Sequence, residues 1–331
     1  MTERDRQWPP GEEALAAREE FQYAAAMKTR AFSFLLVAAL LTACGGDDEP
    51  ADGDRPQSIG ACAVLPADNA WNTDISGAPV DPRSDAYIAS IGLDTGLHPD
   101  FGTIYGIPYV AVDGSVTKTT VTFDYADESD PGPYPIPADP PIEEGGDRHI
   151  LMVHTEECTL YELFAAERQG DGWHAGSGAI FDLASNDLRP DGWTSADAAG
   201  LPILPGLARW DEAVEKGAIH HALRFTASST QSAYAHPARH SAGDGADPDL
   251  PPMGLRVRLK AGVDISAYPP QTRVVLTALK RYGMILADNG SNWYVTGAPD
   301  LRWDDDDLHS IGDIRGSDFE AVATGPLTPG L

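Results

Sequence analysis

The sequence is short of positive charge, and this shortage excludes several classes of partner. It holds 23 Lys and Arg against 51 Asp and Glu, a formal net charge of −28. Such a chain repels phosphate groups, so we expect no nucleic-acid partner and no attraction to anionic lipid headgroups. The surplus of carboxylates favours solubility of an exposed domain over a specific cation site.

The sequence also lacks the common catalytic signatures. The GxSxG, HExxH, Walker A and dinucleotide-binding patterns are missing in their required contexts. Their absence argues against an α/β-hydrolase, a zincin metalloprotease and a nucleotide-binding protein. Cysteine is scarce as well: the chain has three, and none has the spacing of a zinc knuckle.

What the sequence does contain is an export signal at residues 27–43. Lys28 and Arg30 precede an apolar run at residues 31–41, which is too short to span a bilayer but suits a secretory signal. The closing residues Leu-Thr-Ala-Cys, ending at Cys44, resemble a bacterial lipobox, whose cysteine is lipidated, for example with palmitate. The alternative is a buried core helix that happens to end in cysteine. Gly45, where an Asp would imply inner-membrane retention, favours the outer membrane if one is present.

The flanking segments complete the predicted organisation. Residues 1–26 precede a full signal and are expected to be an early start or a disordered extension. Residues 44–60, rich in Gly, Asp and Pro, are predicted to be a flexible tether. Residues 61–331 are predicted to form one β-rich globular domain.

Lipidation of Cys44 would leave Cys62 and Cys158 as a pair in an oxidising compartment. Such pairs commonly form a disulfide, which would tie the start of the domain to a central strand. Two buried free thiols are the alternative.

Short alternating segments predict a mainly β fold, a β-sandwich or jelly-roll-like single domain with a few short helices. Helices are predicted at residues 85–91, with Ser84 as the N-cap, and at residues 271–282, ended by Gly283. The strand predictions cover residues 121–125, 149–154, 159–165, 178–183, 218–226, 254–260, 284–288 and 292–297. The proline-rich stretch 126–147, which contains Tyr134, should be stiff and fold over a face of the sheet.

Three residues are candidate catalysts. Glu162 and Asp182 each alternate with apolar neighbours in a predicted strand, so one sheet face could hold both carboxylates. Glycoside hydrolysis needs such a pair. Alternatively, each carboxylate caps a neighbouring loop or pairs with an arginine. His221 shares a face with apolar residues, and it is either a catalytic histidine or a satisfied core histidine.

Metal binding is the weaker interpretation elsewhere, and we predict no resident cofactor. His236 and His240 have ligand-like spacing but lie beside Pro237 in a loop-like segment. The acidic runs 244–249 and 304–307 could supply oxygen ligands for calcium, but neither has the complete calcium-loop spacing. Solvated acidic turns are the simpler interpretation.

A possible carbohydrate site is indicated by aromatic rings beside amides and carboxylates. The expected substrate-binding residues are Asp288, Asn289, Trp293 and Tyr294, together with Arg224 and Tyr134. Rings stack on the C–H faces of sugars while amides and carboxylates bind hydroxyls. Alternatively, Asn289-Gly290-Ser291 forms a hairpin turn and the aromatics belong to the core. Arg224, Arg256, Arg258 and Lys260 form a basic row that either holds an acidic sugar or pairs with surplus carboxylates.

Three segments of the chain resemble a broad group of functionally uncharacterised secreted bacterial proteins. They are ADNGSNWYVTGAPDLRWDDDDL, the stretch from GAIFDLASNDLRPDGW to LARWDE, and HHALRFT. The resemblance spans most of residues 62–324 and implies an extracytoplasmic β-rich domain, without catalytic residues to carry over. We therefore expect a surface lipoprotein that binds or cleaves a polysaccharide; the alternative is a non-catalytic envelope protein with a structural or protein-binding role.

Overall fold

Residues 57–330 are the part of the chain that a computed structural model describes. Cys44, the predicted signal and the predicted tether up to residue 56 lie outside this range. Within residues 57–330, no helix is long and apolar enough to cross a bilayer.

Short strands make up most of the regular structure. They are β1 (Ser58–Ile59), β2 (Cys62–Ala63), β3 (His98–Asp100), β4 (Tyr109–Val112), β5 (Val121–Phe123), β6 (Ile150–His154), β7 (Thr159–Phe164), β8 (Glu167–Gln169), β9 (Gly172–Ala175), β10 (Ser177–Asp182), β11 (Leu223–Ala227), β12 (Ala233–Tyr234), β13 (Arg256–Leu259), β14 (Met284–Asn289), β15 (Tyr294–Thr296), β16 (Phe319–Ala321) and β17 (Thr328–Pro329).

The helices are few and short: α1 (Ser84–Ile91), α2 (Pro270–Arg281) and α3 (Asp305–His309). A π-helical segment spans Asp211–Lys216, and 3₁₀ turns span Ala126–Glu128, Leu204–Gly206, Ser310–Asp313 and Gly316–Asp318. The two predicted helices are confirmed as α1 and α2. Ser84, however, is the first helical residue rather than the N-cap, and its hydroxyl accepts a hydrogen bond from the backbone N–H of Ala321.

Within residues 57–330, the strands form two large sheets and three small ones. One large sheet has the order β10-β7-β6-β4 and the other β16-β13-β14-β11-β15-β3. The prediction of a β-rich fold is confirmed. Both large sheets are mixed, since β4 runs parallel to β6 and β11 runs parallel to β14. A jelly roll is built from antiparallel strands, so the parallel pairs depart from that expectation.

The four-stranded sheet is apolar on both faces. Leu151 and Leu160 on one face belong to the main core, which also contains the six-stranded sheet. Met152 and Leu163 on the other face pack in a second core together with Tyr134 of the proline-rich stretch. The prediction that this stretch folds over a sheet face is therefore confirmed.

The turn after β14 does not form a hairpin. In the six-stranded sheet, β11 lies between β14 and β15, so the Asn289-Gly290-Ser291 connection crosses one strand. The parallel register of β11 and β14 pairs Arg224 with Ile285 and, after an irregularity, Thr226 with Asp288. This arrangement brings the side chains of the buried Arg224 and the partly exposed Asp288 together.

Candidate functional site

A surface pocket of about 200 Å³ opens between two loop segments, and we call it the loop pocket. One wall is the segment from Leu65 to Trp71, which follows β2, and the other is the segment from Phe181 to Arg189, which begins with the last two residues of β10. Gly200, Leu201, Pro202, His236 and Pro237 complete the lining.

Polar side chains connect the two walls at the surface. The Asn69 Nδ2 donates to Asn186 Oδ1 at 2.8 Å, and the Asn186 Nδ2 donates to Asp68 Oδ1 at 2.9 Å. Asp182 shapes the second wall, because its Oδ1 accepts from the backbone N–H of Ala184 at 2.8 Å. This chain of amides and carboxylates presents hydrogen-bonding groups around the pocket.

The disulfide lies at the base of both walls. Cys62 and Cys158 are bonded, with their Cα atoms 5.3 Å apart and a sequence separation of 96, so the predicted disulfide is confirmed. Cys62 precedes the first wall by a few residues, and the carbonyl of Cys158 accepts from the Leu183 N–H at 2.9 Å in the second wall. The bridge therefore fixes the two walls relative to each other.

Aromatic rings form the buried side of the pocket. Trp71 and Phe181 are both buried and both line it. The six-membered part of the Trp71 ring packs against Gly206, where an added Cβ would lie 2.7 Å from Trp71 Cζ3. A side chain at position 206 would therefore displace the indole, which is why glycine is required there.

Arg189 contributes little free positive charge to the pocket. Its guanidinium donates to Asp130 Oδ2 at 2.5 Å and to the carbonyls of Thr194 and Glu128 at 2.7 and 2.8 Å. It also lies 5.8 Å above the Phe181 ring. The carboxylates of Asp68, Asp182 and Asp187 therefore dominate the charge of the pocket lining.

Behind the pocket lies a set of charges that we call the Arg224 network: Glu143, His149, Asp197, Arg224 and Asp288. His149, Asp197 and Arg224 are buried, and Glu143 and Asp288 are partly exposed. Arg224 donates to both carboxylate oxygens of Asp197 at 2.8 Å and to Asp288 Oδ2 at 3.2 Å. Burial disfavours the charged guanidinium, but Asp197 and Asp288 outweigh it and raise the pKa of Arg224. Burial and the nearby Asp197 charge raise the pKa of Asp288 from 3.8 to about 7.

His149 adds a second cation to this network. Its Nδ1 lies 2.5 Å from Glu143 Oε2 and its Nε2 lies 3.0 Å from the carbonyl oxygen of Ala196. Both partners are acceptors, so both ring nitrogens donate and the ring is held as imidazolium. Burial lowers the pKa of His149, but the hydrogen bond and charge of Glu143 raise it by more.

The expected acid/base pair of Glu162 and Asp182 does not form. Strands β7 and β10 pair Glu162 with Ala179 and Thr159 with Asp182, without a register shift. Residues 159 and 162 point to opposite faces of β7, so the two carboxylates lie on opposite faces of the sheet. Glu162 is fully buried and caps a turn, accepting from the backbone N–H groups of Ile203 and Leu204 at 2.9 to 3.0 Å. Burial raises its pKa from 4.5 to about 7.

His221 is a core histidine rather than an accessible catalyst. It is fully buried, and its Nε2 lies 3.1 Å from Glu212 Oε2 while its Nδ1 lies 2.8 Å from the Ala222 carbonyl. Arg209 completes this group, with Nη2 at 3.0 Å from Glu212 Oε1. Burial raises the pKa of Glu212, but the charges of Arg209 and His221 outweigh it and lower that pKa.

The predicted substrate-binding residues are spread over several places. Trp293 is fully buried between Phe225 and Phe319, and Tyr134 is fully buried in the second core, so neither can serve as a sugar platform. Tyr294 is half-buried and stacks on His98 with ring centroids 4.1 Å apart. Asn289 is exposed and accepts from Thr230 Oγ1 at 3.0 Å, whereas Arg224 and Asp288 belong to the buried network.

The other polar motifs have structural partners. Asp304 caps α3, and Asp307 accepts from the Gln271 and Thr272 N–H groups at the start of α2. Arg258 pairs with Glu320, one of the surplus carboxylates, at 2.8 Å. Across residues 57–330, no group of three or more His, Cys, Asp or Glu side chains could hold a metal ion.

Sequence reasoning missed most of the loop pocket. Trp71, Asn69 and Asn186 were not among the candidates, although Asp182 lines the pocket and His236 had been considered as a ligand. One signal was present: the predicted disulfide already placed the loop that follows Cys62 beside the strand that follows Cys158.

Comparison with known proteins found no matching family model, no curated relative and no similar solved structure.

Proposed function

We propose that this chain is a bacterial surface lipoprotein whose domain binds a polysaccharide in the loop pocket. One observation carries the proposal: amides and carboxylates of Asp68, Asn69, Asp182 and Asn186 form a hydrogen-bonding rim around the pocket. Sugar hydroxyls can exchange hydrogen bonds with these groups, whereas Trp71 and Phe181 are too buried to offer a ring face and only close the inner side of the pocket. The lining therefore matches a carbohydrate better than an apolar ligand.

The charge of the pocket selects among sugars. Asp68, Asp182 and Asp187 would repel a uronic acid, and Arg189 is already bound to Asp130. We therefore propose that the bound polysaccharide is uncharged or carries amino groups. The acidic sugar considered for the basic row is disfavoured, because Arg224 is bound to Asp197 and Arg258 to Glu320.

The test is a polysaccharide array probed with the full chain and read for both binding and release of reducing ends. The variants Asp182→Ala and Asn186→Ala should weaken binding, since each removes a polar group of the rim. Asp171→Ala is the matched control, because Asp171 is an exposed carboxylate outside the pocket. Release of reducing ends would extend the proposal to cleavage, and equal binding by all four proteins would refute the site.

Lipid anchoring is tested separately. Cys44→Ala removes the thiol to which the lipid would be attached, so metabolic labelling with a fatty acid should mark the wild type and miss the variant. Label that persists in the variant would contradict the lipobox interpretation. The envelope location, with the outer membrane favoured, rests on the same signal.

A sandwich-like packing of the two large sheets is also part of the proposal. The inner residues Leu151 and Leu160 of one sheet and Phe225 and Leu286 of the other share one apolar core. Two sheets that share a core in this way resemble the layers of a sandwich.

A second candidate function, protein binding without catalysis, is supported by exposed apolar side chains on neighbouring loops. Leu301 is 82% exposed and Ile104 is 60% exposed. Their loops are joined by a hydrogen bond of 3.0 Å from the Asp300 N–H to the Gly102 carbonyl. Exposed apolar groups of this kind mark interaction surfaces when they are contiguous. A Leu301→Asp variant that loses an envelope partner but still binds polysaccharide would favour this function.

A further inference from the structure

A second cavity, separate from the loop pocket, runs along α2. It has a volume of about 470 Å³ and lies between α2 and the segment from Ala213 to His220; we call it the α2 groove. Pro270, Val274, Ala278 and Arg281 of α2 all line it, so the groove follows one face of the helix from its first turn to its last. A helix of this length extends about 18 Å.

The floor of the α2 groove is apolar. Ala213, Ile219 and Ala278 are buried beneath it, and Val274 lines its side. Val214, on the other bank, keeps 39% of its surface exposed. An apolar ligand body placed here would remove exposed aliphatic surface from water, which is favourable.

The ionisable groups of the groove are basic, in contrast to the chain as a whole. Among residues 57–330, the basic side chains that line the groove are Arg273, Arg281 and His220, and no Asp or Glu lines it. Arg281 is partly balanced by Asp74, with Nε 2.8 Å from Asp74 Oδ2. Arg273 is exposed and donates to the Tyr268 carbonyl at 3.3 Å, an acceptor that leaves its positive charge in place.

Three carboxylates near the two sides of the groove are engaged by other groups. In the π-helical segment, Asp211 is bound by Lys216 at 2.8 Å and Glu215 by Arg302 at 3.3 Å. Asp307 is bound by the first N–H groups of α2. Arg273 itself forms no ion pair with a carboxylate among residues 57–330, so its guanidinium can bind an anion in the groove.

We propose that the α2 groove binds an amphipathic organic anion, a carboxylate carried on an aliphatic body. The body lies on Ile219, Val274 and Ala278, and the Arg273 guanidinium holds the carboxylate at the rim by charge-assisted hydrogen bonds. A cavity of this size is in the range of small-molecule sites. The site goes beyond the proposed polysaccharide binding, since it shares no lining residue with the loop pocket.

The test is calorimetric titration of the full chain with octanoate, with 1-octanol as the uncharged probe. Octanoate should bind saturably and more tightly than octanol. Arg273→Gln should weaken octanoate binding about tenfold, the usual loss for one charge-assisted hydrogen bond, and leave octanol binding unchanged. Arg168→Gln is the matched control, because Arg168 is also an exposed arginine that donates to one backbone carbonyl, at Ala138.

A second variant locates the binding site. Val214→Trp would fill the groove and should weaken both probes, whereas Asp182→Ala in the loop pocket should affect neither. Absence of saturable octanoate binding, equal affinity for octanoate and octanol, or unchanged binding in Arg273→Gln and Val214→Trp would each overturn the proposal. Loss of octanoate binding in Asp182→Ala would move the site to the loop pocket.

Discussion

The Arg224 network and the loop pocket lie close together in the chain but have opposite character. Asp197 is fully buried and bound on both oxygens by Arg224, whereas Gly200 and Leu201, a few residues later, line the pocket. The network comes from strands β11 and β14, from the loop that contains Asp197, and from Glu143 and His149, which precede β6. The pocket comes from irregular segments held by a disulfide. Of the residues that suggested chemistry in the sequence, Arg224 and Asp288 belong to the network and several others to the core, whereas those that form the pocket are mostly ordinary loop residues.

The difference has a physical reason. A charged residue in a strand that is apolar on both faces must be paired internally, because an unpaired buried charge is very costly. Arg224 and Glu162 meet this condition with Asp197 and with backbone N–H groups, respectively. Loop residues such as Asn186 keep part of their surface in water and can exchange water for a ligand.

The largest expected effect is in the network. Arg224→Met removes the partner of both Asp197 oxygens and leaves a buried carboxylate uncompensated, so the free energy of unfolding should fall by about 3 to 5 kcal/mol. Denaturant unfolding followed by circular dichroism measures the change. Arg302→Met is the matched control, since Arg302 binds Asp300 through two nitrogens at 2.7 and 2.8 Å but at the surface, and little change is expected. If the two variants were equally stable, burial would not make the Arg224–Asp197 pair contribute more to stability than the exposed Arg302–Asp300 pair.

The disulfide comes next. The double variant Cys62→Ala/Cys158→Ala should lower the free energy of unfolding by about 2 to 5 kcal/mol, because the bridge closes a long loop. The same change frees the wall from Leu65 to Trp71, so limited proteolysis should cut there before it cuts the sheets. Polysaccharide binding should fall together with this protection. If the oxidised and reduced proteins show the same cleavage pattern, packing alone holds the wall.

A third effect, of intermediate size, is the dependence of stability on pH. Asp288 and Glu162 have folded-state pKa values raised to about 7, so the folded state keeps their protons when the unfolded state has lost them. Their contribution to stability is therefore present below about pH 4 and is lost as pH rises through about 7. The raised pKa of His149 acts in the same direction at higher pH.

Thermal unfolding across this pH range checks the sign. Asp288→Asn should lose less stability than the wild type between about pH 4.5 and 7.5, because the amide does not titrate. Asp74, Asp211 and Glu212 have lowered pKa values in the folded state. Their protonation below about pH 4 should therefore cause a separate loss of stability. A steeper dependence in Asp288→Asn than in the wild type would contradict the assignment.

Much of the fold was predictable from local pattern. The helices at 85–91 and 271–282 and the strands at 149–154 and 159–165 have clear periodicity or end signals, and they appear as α1, α2, β6 and β7. Strand pairing was not predictable in the same way. The register of β7 and β10 depends on the segment between them, which itself contains β8 and β9, and this register places Glu162 and Asp182 on opposite faces of the sheet.

The site was less predictable than the fold. Trp293 and Tyr134 have aromatic rings of the kind that bind sugars, but large rings are also favourable in a core. In this fold both rings are buried in the core. The pocket residue Trp71 carries no local signal, because its position depends on Gly206 and on the disulfide from Cys62 to Cys158, 96 positions further along the chain in the turn before β7. Contacts of such separation are not encoded in any short window of sequence.

The smallest expected effect on stability is in the loop pocket, and it distinguishes the pocket most clearly from the Arg224 network. Asp182→Asn and Asp187→Asn change exposed carboxylates, so the free energy of unfolding should move by no more than about 0.5 kcal/mol. Each variant removes a negative charge from the pocket lining, so binding of an amine-bearing polysaccharide should weaken and binding of a uronic-acid polymer should improve. Binding measured at two ionic strengths checks this, because the preference should shrink as salt rises. A large loss of stability in either variant would mean that the pocket carboxylates, like those of the Arg224 network, serve the fold rather than a ligand.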